Sequence, residues 1–320
     1  MLNVFFTVDV EIWCGSWDSL EDRFPKAFNR YIYGRTSRGD YGLPYQLDIL
    51  KDHGLKGVFF VEPLFSTRFG NGPLEEIVGL INESGHDTEL HLHTEWVDES
   101  KKPLLEDVSR KRQHLRYFSL TEQTILIEAG IRFIQQAGAE AISAFRAGSF
   151  AFNKDTLKGL AANGIRFDSS YNASLFGLDS GVMPGVVAVE PFEHNGVFEY
   201  PLTVFNDGSG KLRHVQLTSC SFREMEGLLW LALEEGRKSF VLLSHNFELL
   251  NQAGNRPDDV VVRRLHKLCS FLDKNRDCFK TSGFNGLSPQ IIMEQPAPLT
   301  SPTWKTCARI VEQIYRRRYG

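Results

Sequence analysis

Short apolar runs alternate with stretches of helical periodicity through most of the chain, and the apolar runs end in polar side chains. Val4-Phe5-Phe6-Thr7-Val8 runs into Asp9-Val10-Glu11, and a helix pattern through Leu47, Ile49 and Leu50, closed near Gly54, leads to Gly57-Val58-Phe59-Phe60-Val61. Runs this short and this rich in Val and Phe predict strands of a buried parallel sheet. Helices are predicted over residues 74–82, 121–137 and 222–235, with Ile125, Ile127, Ile131, Phe133 and Ile134 as the core positions of the second. Further strands are expected near residues 141–145, at 165–167 before Asp168, and at 240–243 before His245. Asn153 or Asp155 caps a helix through Leu157 and Leu160 that ends at Gly164. From Trp13 to Asp40 there is no clear periodicity, which reads as a long connection of the kind kept for a binding site. Residues 101–116 are charged and predicted to lie on the surface. Residues 173–215 read as loops and short strands, including Val197-Phe198-Glu199-Tyr200.

Repeated strand-helix units with polar residues at the strand C-termini predict an α/β fold, a parallel (β/α) barrel with outer helices, whose chemistry sits at that face. Asp9, His91, Arg146, Asp168 and His245 would then converge. A doubly wound open sheet would gather its site at one switch point, and no Gly-x-Gly-x-x-Gly or phosphate-binding loop supports it. The barrel is expected over residues 1–285 and a Pro-containing linker with a C-terminal helix over 286–320. In that helix Trp304, Ala308, Val311 and Tyr315 recur at helical spacing, which predicts docking on the barrel, with Arg316-Arg317-Arg318 complementing the helix dipole. A membrane-surface anchor is the alternative reading of the same helix.

The densest group of metal-ligand side chains is Gly85-His86-Asp87-Thr88-Glu89-Leu90-His91-Leu92-His93-Thr94-Glu95-Trp96. As a strand it presents Glu89, His91, His93 and Glu95 on one face. As a helical turn from His91 onward, it still pairs His91 with Glu95 at i and i+4. Imidazole and carboxylate are the ligands of a catalytic Zn²⁺ that keeps a position open for water.

Composition narrows the function. Hydrophobic residues at 42% and charged residues at 24% are ordinary for a globular protein, and 24 Phe against 4 Met suggest a core of rigid aromatic packing. A formal net charge of −4 argues against a non-specific nucleic-acid binder. Cys14, Cys220, Cys269, Cys278 and Cys307 are odd in number and scattered, which fits neither a disulfide framework nor a zinc ribbon. No apolar stretch approaches the ~20 residues of a membrane span. The first residues lack the features of a signal peptide, so a cytoplasmic location is expected, with the inner face of the membrane as a variant of it.

Thr7-Val8-Asp9-Val10-Glu11, Gly85-His86-Asp87 with His91, Phe145-Arg146-Ala147-Gly148-Ser149-Phe150, Asp168-Ser169-Ser170 and Leu242-Leu243-Ser244-His245 occur in that order. Together they resemble the polysaccharide deacetylase (NodB-like) family of carbohydrate esterases, over about residues 3 to 250. The resemblance implies a distorted (β/α) barrel and metal-dependent removal of acetyl from an N-acetylated sugar, with Zn²⁺ as the expected metal. It makes Asp9 the general base, His245 the general acid, Arg146 the residue that orients the catalytic Asp, and Asp168 the acid that orients the histidine. Where the family motif carries a metal Asp directly after the base, this chain has Val10, and Glu11 is the substitute. The family's second motif is His-[Ser/Thr]-x-x-His, of which His91 matches the first histidine. Glu95 stands at the second and His93 lies between them, so both remain candidate ligands. Phe150, Tyr171 and Trp96 are the aromatic candidates for meeting substrate.

The implied substrate is a sugar of a polysaccharide or of its lipid- or nucleotide-linked precursor. Two other readings compete with it: a non-catalytic homologue that binds a glycan or a partner, and a hydrolase of another non-peptide C–N bond.

Overall fold

The computed structural model describes residues 1–319. In chain order, the elements that carry the argument are β1 (Leu2–Val10), α1 (Leu20–Phe28), α2 (Leu43–Asp52), β2 (Gly57–Val61), α3 (Gly72–Glu83), β3 (Asp87–Leu92), α4 (Leu120–Gln136), β4 (Ala144–Ala147), α5 (Lys154–Ala162) and β5 (Phe167–Asp168). They continue with β6 (Phe192–His194), β7 (Val197–Glu199), β8 (Val204–Asn206), β9 (Leu212–His214), α6 (Phe222–Glu234), β10 (Ser239–His245), α7 (Asp259–Lys274), β11 (Phe279–Thr281), β12 (Leu299–Thr300) and α8 (Thr303–Tyr319).

The chain divides into two compact units. The first holds Met1–Gly57, Thr203–Ser282 and the chain from Pro298 onward. Its central strand is β1, buried along nearly its whole length, with β10 parallel on one side and β11 parallel on the other. The β1–β10 register runs from Asn3↔Ser239 to Asp9↔His245, so both strands deliver their last residues at the same level. Thr7 Oγ1 adds a 2.7 Å bond to the Leu242 carbonyl inside this pair. A smaller sheet pairs β8 antiparallel with β9 and parallel with β12.

The second unit holds Val58–Leu202 and Gly283–Ala297. Here β2, β3, β4, β5 and β7 follow one another in parallel, and β6 closes the edge antiparallel to β7. Ser119 and Asn153 start α4 and α5 with capping boxes, as Ser and Asn do when Glu or Thr stands three residues on and can bond back. On α4 the buried positions are Gln123, Leu126, Ile127, Ala129, Gly130 and Ile134, while Ile125, expected inside, is 38% exposed. Gly130 lies on the buried side of the helix. A Cβ there would come within 2.8 Å of Leu90 Cδ1 and 3.0 Å of Leu92 Cδ2, so its absence lets α4 close onto β3.

Two segments depart from the sequence pattern. The connection from Trp13 to Asp40 contains α1, which buries Leu20, Phe24, Ala27 and Phe28. Its pattern is obscured by Pro25 inside the helix and by a left-handed Ser19 at its start. The C-terminal helix α8 is inverted relative to expectation. It meets its own unit through Thr306, Arg309, Glu312, Gln313 and Arg316, and leaves Trp304, Ala308, Val311 and Tyr315 exposed. Arg309 Nη2 donates to Asp207 Oδ2 at 3.0 Å, and Arg316 Nε donates to Asp258 Oδ2 at 2.7 Å.

Gly130→Leu should force the α4–β3 contact apart and lower stability by about 1–3 kcal/mol, the usual range for an overpacked core. Urea unfolding would register this as a lower midpoint at unchanged slope. A wild-type midpoint would mean that α4 is not held at that distance by the missing side chain.

Candidate functional site

In the first unit the C-terminal ends of β1 and β10 bring Asp9, Glu11 and His245 together. One ligand-type atom of each lies within 4.8 Å of the others. Asp9 and Glu11 are 2% and 6% exposed, and Glu11 Oε2 accepts a 2.7 Å bond from Trp13 Nε1. The backbone of Glu11 is fixed by Asn246. Its amide oxygen accepts from the Glu11 N–H at 3.0 Å, and its Nδ2 donates to the Glu11 carbonyl at 3.1 Å and to the Tyr31 carbonyl at 2.7 Å. Gln46 Nε2 in turn donates to the carbonyls of His245 and Asn246.

His245 is held from behind by Glu248, whose Oε1 lies 2.8 Å from Nδ1. That leaves Nε2 toward Glu11 Oε1 at 4.0 Å. Gln216 Nε2 donates to the same Glu248 oxygen, and Gln216 Oε1 meets His214 Nε2 at 3.0 Å. Burial alone would lower the His245 pKa. The Glu248 hydrogen bond and the charges of Glu11, Glu248 and Asp9 outweigh it and raise the value to about 9. The imidazole is therefore set up to carry a proton. The resemblance implied Asp168 as its orienting acid, but the carboxylate on Nδ1 is Glu248.

In the second unit β3 carries the histidines. His91 Nδ1 lies 2.8 Å from the Arg146 carbonyl, which fixes the tautomer and leaves Nε2 as the basic nitrogen. His93 follows the strand end with extended backbone, so it shares the face of His91, and the two rings are 4.8 Å apart. The helical turn begins only at Thr94. Glu95 Oε2 sits 3.3 Å from His93 Nδ1 and stands behind that ring as a supporting carboxylate. Glu89 is occupied elsewhere, accepting from the N–H groups of Ser143 and Ala144 and from Ser143 Oγ, all at 2.7 Å. A further buried acid, Glu62 at the end of β2, lies close enough to feel the charges of both His93 and Glu95.

The Arg146-Ala147-Gly148-Ser149-Phe150 turn shapes this wall. A Cβ on Gly148 would stand 2.7 Å from the Leu92 carbonyl oxygen and 2.8 Å from His93 Nδ1, so only glycine lets the turn pass the ring. Ser149 and Phe150 follow with φ of 54° and 57°, two successive non-glycine residues in the left-handed region. Arg146 is fully buried, donating from Nε to the Ser169 carbonyl and from Nη2 to Ser169 Oγ, both at 3.0 Å.

Asp168 faces an unforeseen partner. It stands opposite Glu199 in the β5–β7 register, and both are fully buried. Ser170 Oγ donates to Asp168 Oδ1 at 2.6 Å and the Tyr171 N–H to Glu199 Oε1 at 2.9 Å. The remaining oxygens, Asp168 Oδ2 and Glu199 Oε2, are buried without a hydrogen-bond partner, and the mutual action of the two carboxyls favours one proton held between them. Burial raises both carboxyls above the ordinary range, and the Asp168 charge raises Glu199 further.

The expected substrate aromatics pack internally. Trp96 meets Phe65 and Phe69 edge-on and is 1% exposed, Tyr171 is fully buried with its hydroxyl on the Val186 carbonyl, and Phe150 is buried. Beside His245 the half-buried rings are instead Tyr31 and Phe247, edge to face at 5.1 Å, which line a pocket of about 400 Å³ with His245 and Glu248. Glu248, Asn246 and Phe247 all follow the β10 strand end, and their closeness in sequence to His245 is the only signal that could have found them.

These donor sets suit a divalent cation such as Zn²⁺: carboxylates in the first unit, and in the second two imidazoles whose Nδ1 atoms are each held by an oxygen.

The shared proton makes a prediction about stability. A carboxyl whose folded pKa lies above its unfolded value binds its proton more tightly when folded, so stability is full below the unfolded pKa and is lost as pH rises. The wild type should therefore weaken above roughly pH 4, where unfolded carboxyls ionise. Glu199→Gln supplies the shared hydrogen permanently and should show a shallower decline of the urea midpoint with pH. Parallel curves for the two proteins would exclude a shared proton.

No protein-family model and no curated protein sequence matches the chain. Solved structures do. A protein assigned as a polysaccharide deacetylase from Mycobacterium smegmatis superposes with a TM-score of 0.54 at 18% identity, covering 92% of this chain and 95% of that one. A family 4 carbohydrate esterase from Streptomyces lividans matches at TM-score 0.43 and 11% identity, with 93% and 97% covered. A family 4 pseudoenzyme from Bacillus anthracis matches at 0.46 and 13%, with 91% and 66% covered. Over nearly the whole length of both chains, the first of these comparisons shows that this chain has the polysaccharide deacetylase fold, the (β/α) barrel read from its strand-helix pattern.

Proposed function

We propose that this protein is a metal-dependent hydrolase that removes the acetyl group from the nitrogen of a sugar in a polysaccharide or its lipid- or nucleotide-linked precursor. The observation that carries the proposal is the Asp9, Glu11 and His245 cluster at the paired ends of β1 and β10, with Glu248 on the far side of the imidazole. Glu11, His91 and His93 are the proposed ligands, and Glu95 holds His93 in place. A bound divalent ion supplies polarisation of the amide carbonyl and acidity to water.

The chain's own residues supply the proton transfers. Asp9 takes the proton from the attacking water, and Arg146 is the residue proposed to orient it. The C–N bond breaks as His245 gives its Nε2 proton to the leaving nitrogen, so amide and water become amine and acetate. Glu248 keeps the Nδ1 side of His245 occupied and its charged form favoured, so the proton to be delivered sits on the nitrogen that faces the carboxylates. Tyr31 and Phe247 offer the aromatic surface on which a sugar ring would rest.

Acetate release from N-acetylated polysaccharides and sugar precursors, with Zn²⁺ or Co²⁺ added to chelator-treated protein, is the direct test. Release that depends on metal supports the proposal. Release that survives chelation, or none on any substrate class, contradicts it.

Two sets of variants resolve the roles. His91→Ala should abolish metal binding with the fold intact, and His93→Ala should weaken binding more than Glu95→Ala, for which a loss of about 10–100-fold is expected of a supporting carboxylate. If Glu95→Ala proves the more damaging, the i, i+4 pair is the ligand set. Asp9→Asn should keep the metal and lose about 10²–10⁴-fold in rate. His245→Ala should also keep it and be least impaired on substrates whose leaving group needs no proton. Equal losses on activated esters and amides would remove His245 from the role of acid.

A further inference from the structure

The C-terminal helix turns its apolar side outward. Trp304, Ala308, Val311 and Tyr315 form a stripe at helical spacing, flanked by Ile310 and Ile314, and all six are exposed, Val311 by 68%. The face that docks is polar: Arg309, 2% exposed, is bonded to Asp207 and lies 3.6 Å from Glu224 Oε1, while Arg264 Nη2 donates to Glu312. A helix anchored by ion pairs and hydrogen bonds keeps its orientation, so the stripe cannot simply roll inward without breaking them. Its Val311 and Tyr315 form one wall of a groove of about 920 Å³ that Phe222 and Phe271 complete from α6 and α7.

Charge identifies what covers this surface. Arg223, Arg263, Lys267 and Lys274 rim the groove, and Arg317 and Arg318 extend the same helix, all six exposed. Of the acids that line it, Glu312 is paired with Arg264 and Glu226 is half-buried. This concentration of positive charge stands on a chain whose formal net charge is −4, so it is local. A second copy docking by two-fold symmetry would set one cationic rim against another. An anionic lipid surface takes both features at once, the apolar stripe entering the headgroup boundary and the basic rim meeting the phosphates. Trp304 and Tyr315 are the side-chain types that settle at that boundary.

We propose that α8, with the basic rim of α6 and α7, is a docking face for an anionic bilayer. The inference does not depend on the proposed deacetylation. It bears on it because Arg316 of the same helix lines the pocket that holds His245, which would put a lipid-linked sugar within that helix's reach. Among the described residues no helix is long and apolar enough to cross a membrane, so attachment by this face would be peripheral.

The test is flotation of the full chain with phosphatidylcholine vesicles made with and without phosphatidylglycerol, at low and high salt. Binding should favour the phosphatidylglycerol vesicles at least about tenfold and fall as salt rises. Val311→Glu with Ile314→Glu should abolish it while circular dichroism and the thermal midpoint stay at wild-type values, since both side chains are exposed. Arg317→Glu with Arg318→Glu, which leaves the stripe intact, should remove the preference for phosphatidylglycerol. Equal binding to both vesicle types, or binding untouched by the apolar pair of substitutions, would overturn the proposal. So would a dimer in sedimentation equilibrium that those same substitutions dissociate, since a second copy would then own the face.

Discussion

The register between β1 and β10 is the constraint on which the proposed chemistry rests. Seven in-line pairs, from Asn3↔Ser239 to Asp9↔His245, end at the site. A slip of one residue by either strand would turn that strand's side chain to the opposite face of the sheet and separate Asp9, the proposed base, from His245, the proposed acid. Val4, Phe6 and Val8 on one face, with Phe5 and Thr7 on the other, are nearly all without exposure, so burial on both sides of the strand resists such a slip. Asn246 extends the constraint beyond the strands by bonding both backbone groups of Glu11 with its own amide.

In each unit the imidazoles are fixed by what lies behind them. His245 has Glu248, His93 has Glu95, and His91 has the Arg146 carbonyl, so one nitrogen of each ring is held by an oxygen that fixes how the ring is turned. The acids are treated differently according to their neighbours. Glu89 accepts three hydrogen bonds and ties β3 to the start of β4, whereas Asp168 and Glu199 face each other across the β5–β7 pair, fully buried. Pairs of that kind are tolerated in a core when a proton bridges them, and Arg146 adds compensating charge to both.

Much of this was legible in the sequence where one short segment carried the whole signal. The Val- and Phe-rich runs ended in Asp9 and His245 as strand ends should, and the alternation of Glu89, His91 and His93 gave their shared side. What stayed hidden depended on partners that lie apart in the chain or on a choice between two faces. Glu199 stands 31 residues from Asp168 and is joined to it only by strand pairing. Glu248 is near His245 in sequence, but only the turn after β10 brings its carboxylate back to the ring. The periodicity of α8 correctly separated an apolar from a polar side; it could not reveal that Asp207, Glu224 and Asp258 would draw the polar side inward.

The proposed function stands or falls with Glu11, His91 and His93 as metal ligands. X-ray absorption at the zinc edge of the reconstituted protein tests it without reference to activity. Two imidazole nitrogens at about 2.0–2.1 Å are expected, with carboxylate oxygen completing the shell, one imidazole being lost in His93→Ala and carboxylate oxygen in Glu11→Ala. A shell with no imidazole, or one that neither substitution alters, would contradict it.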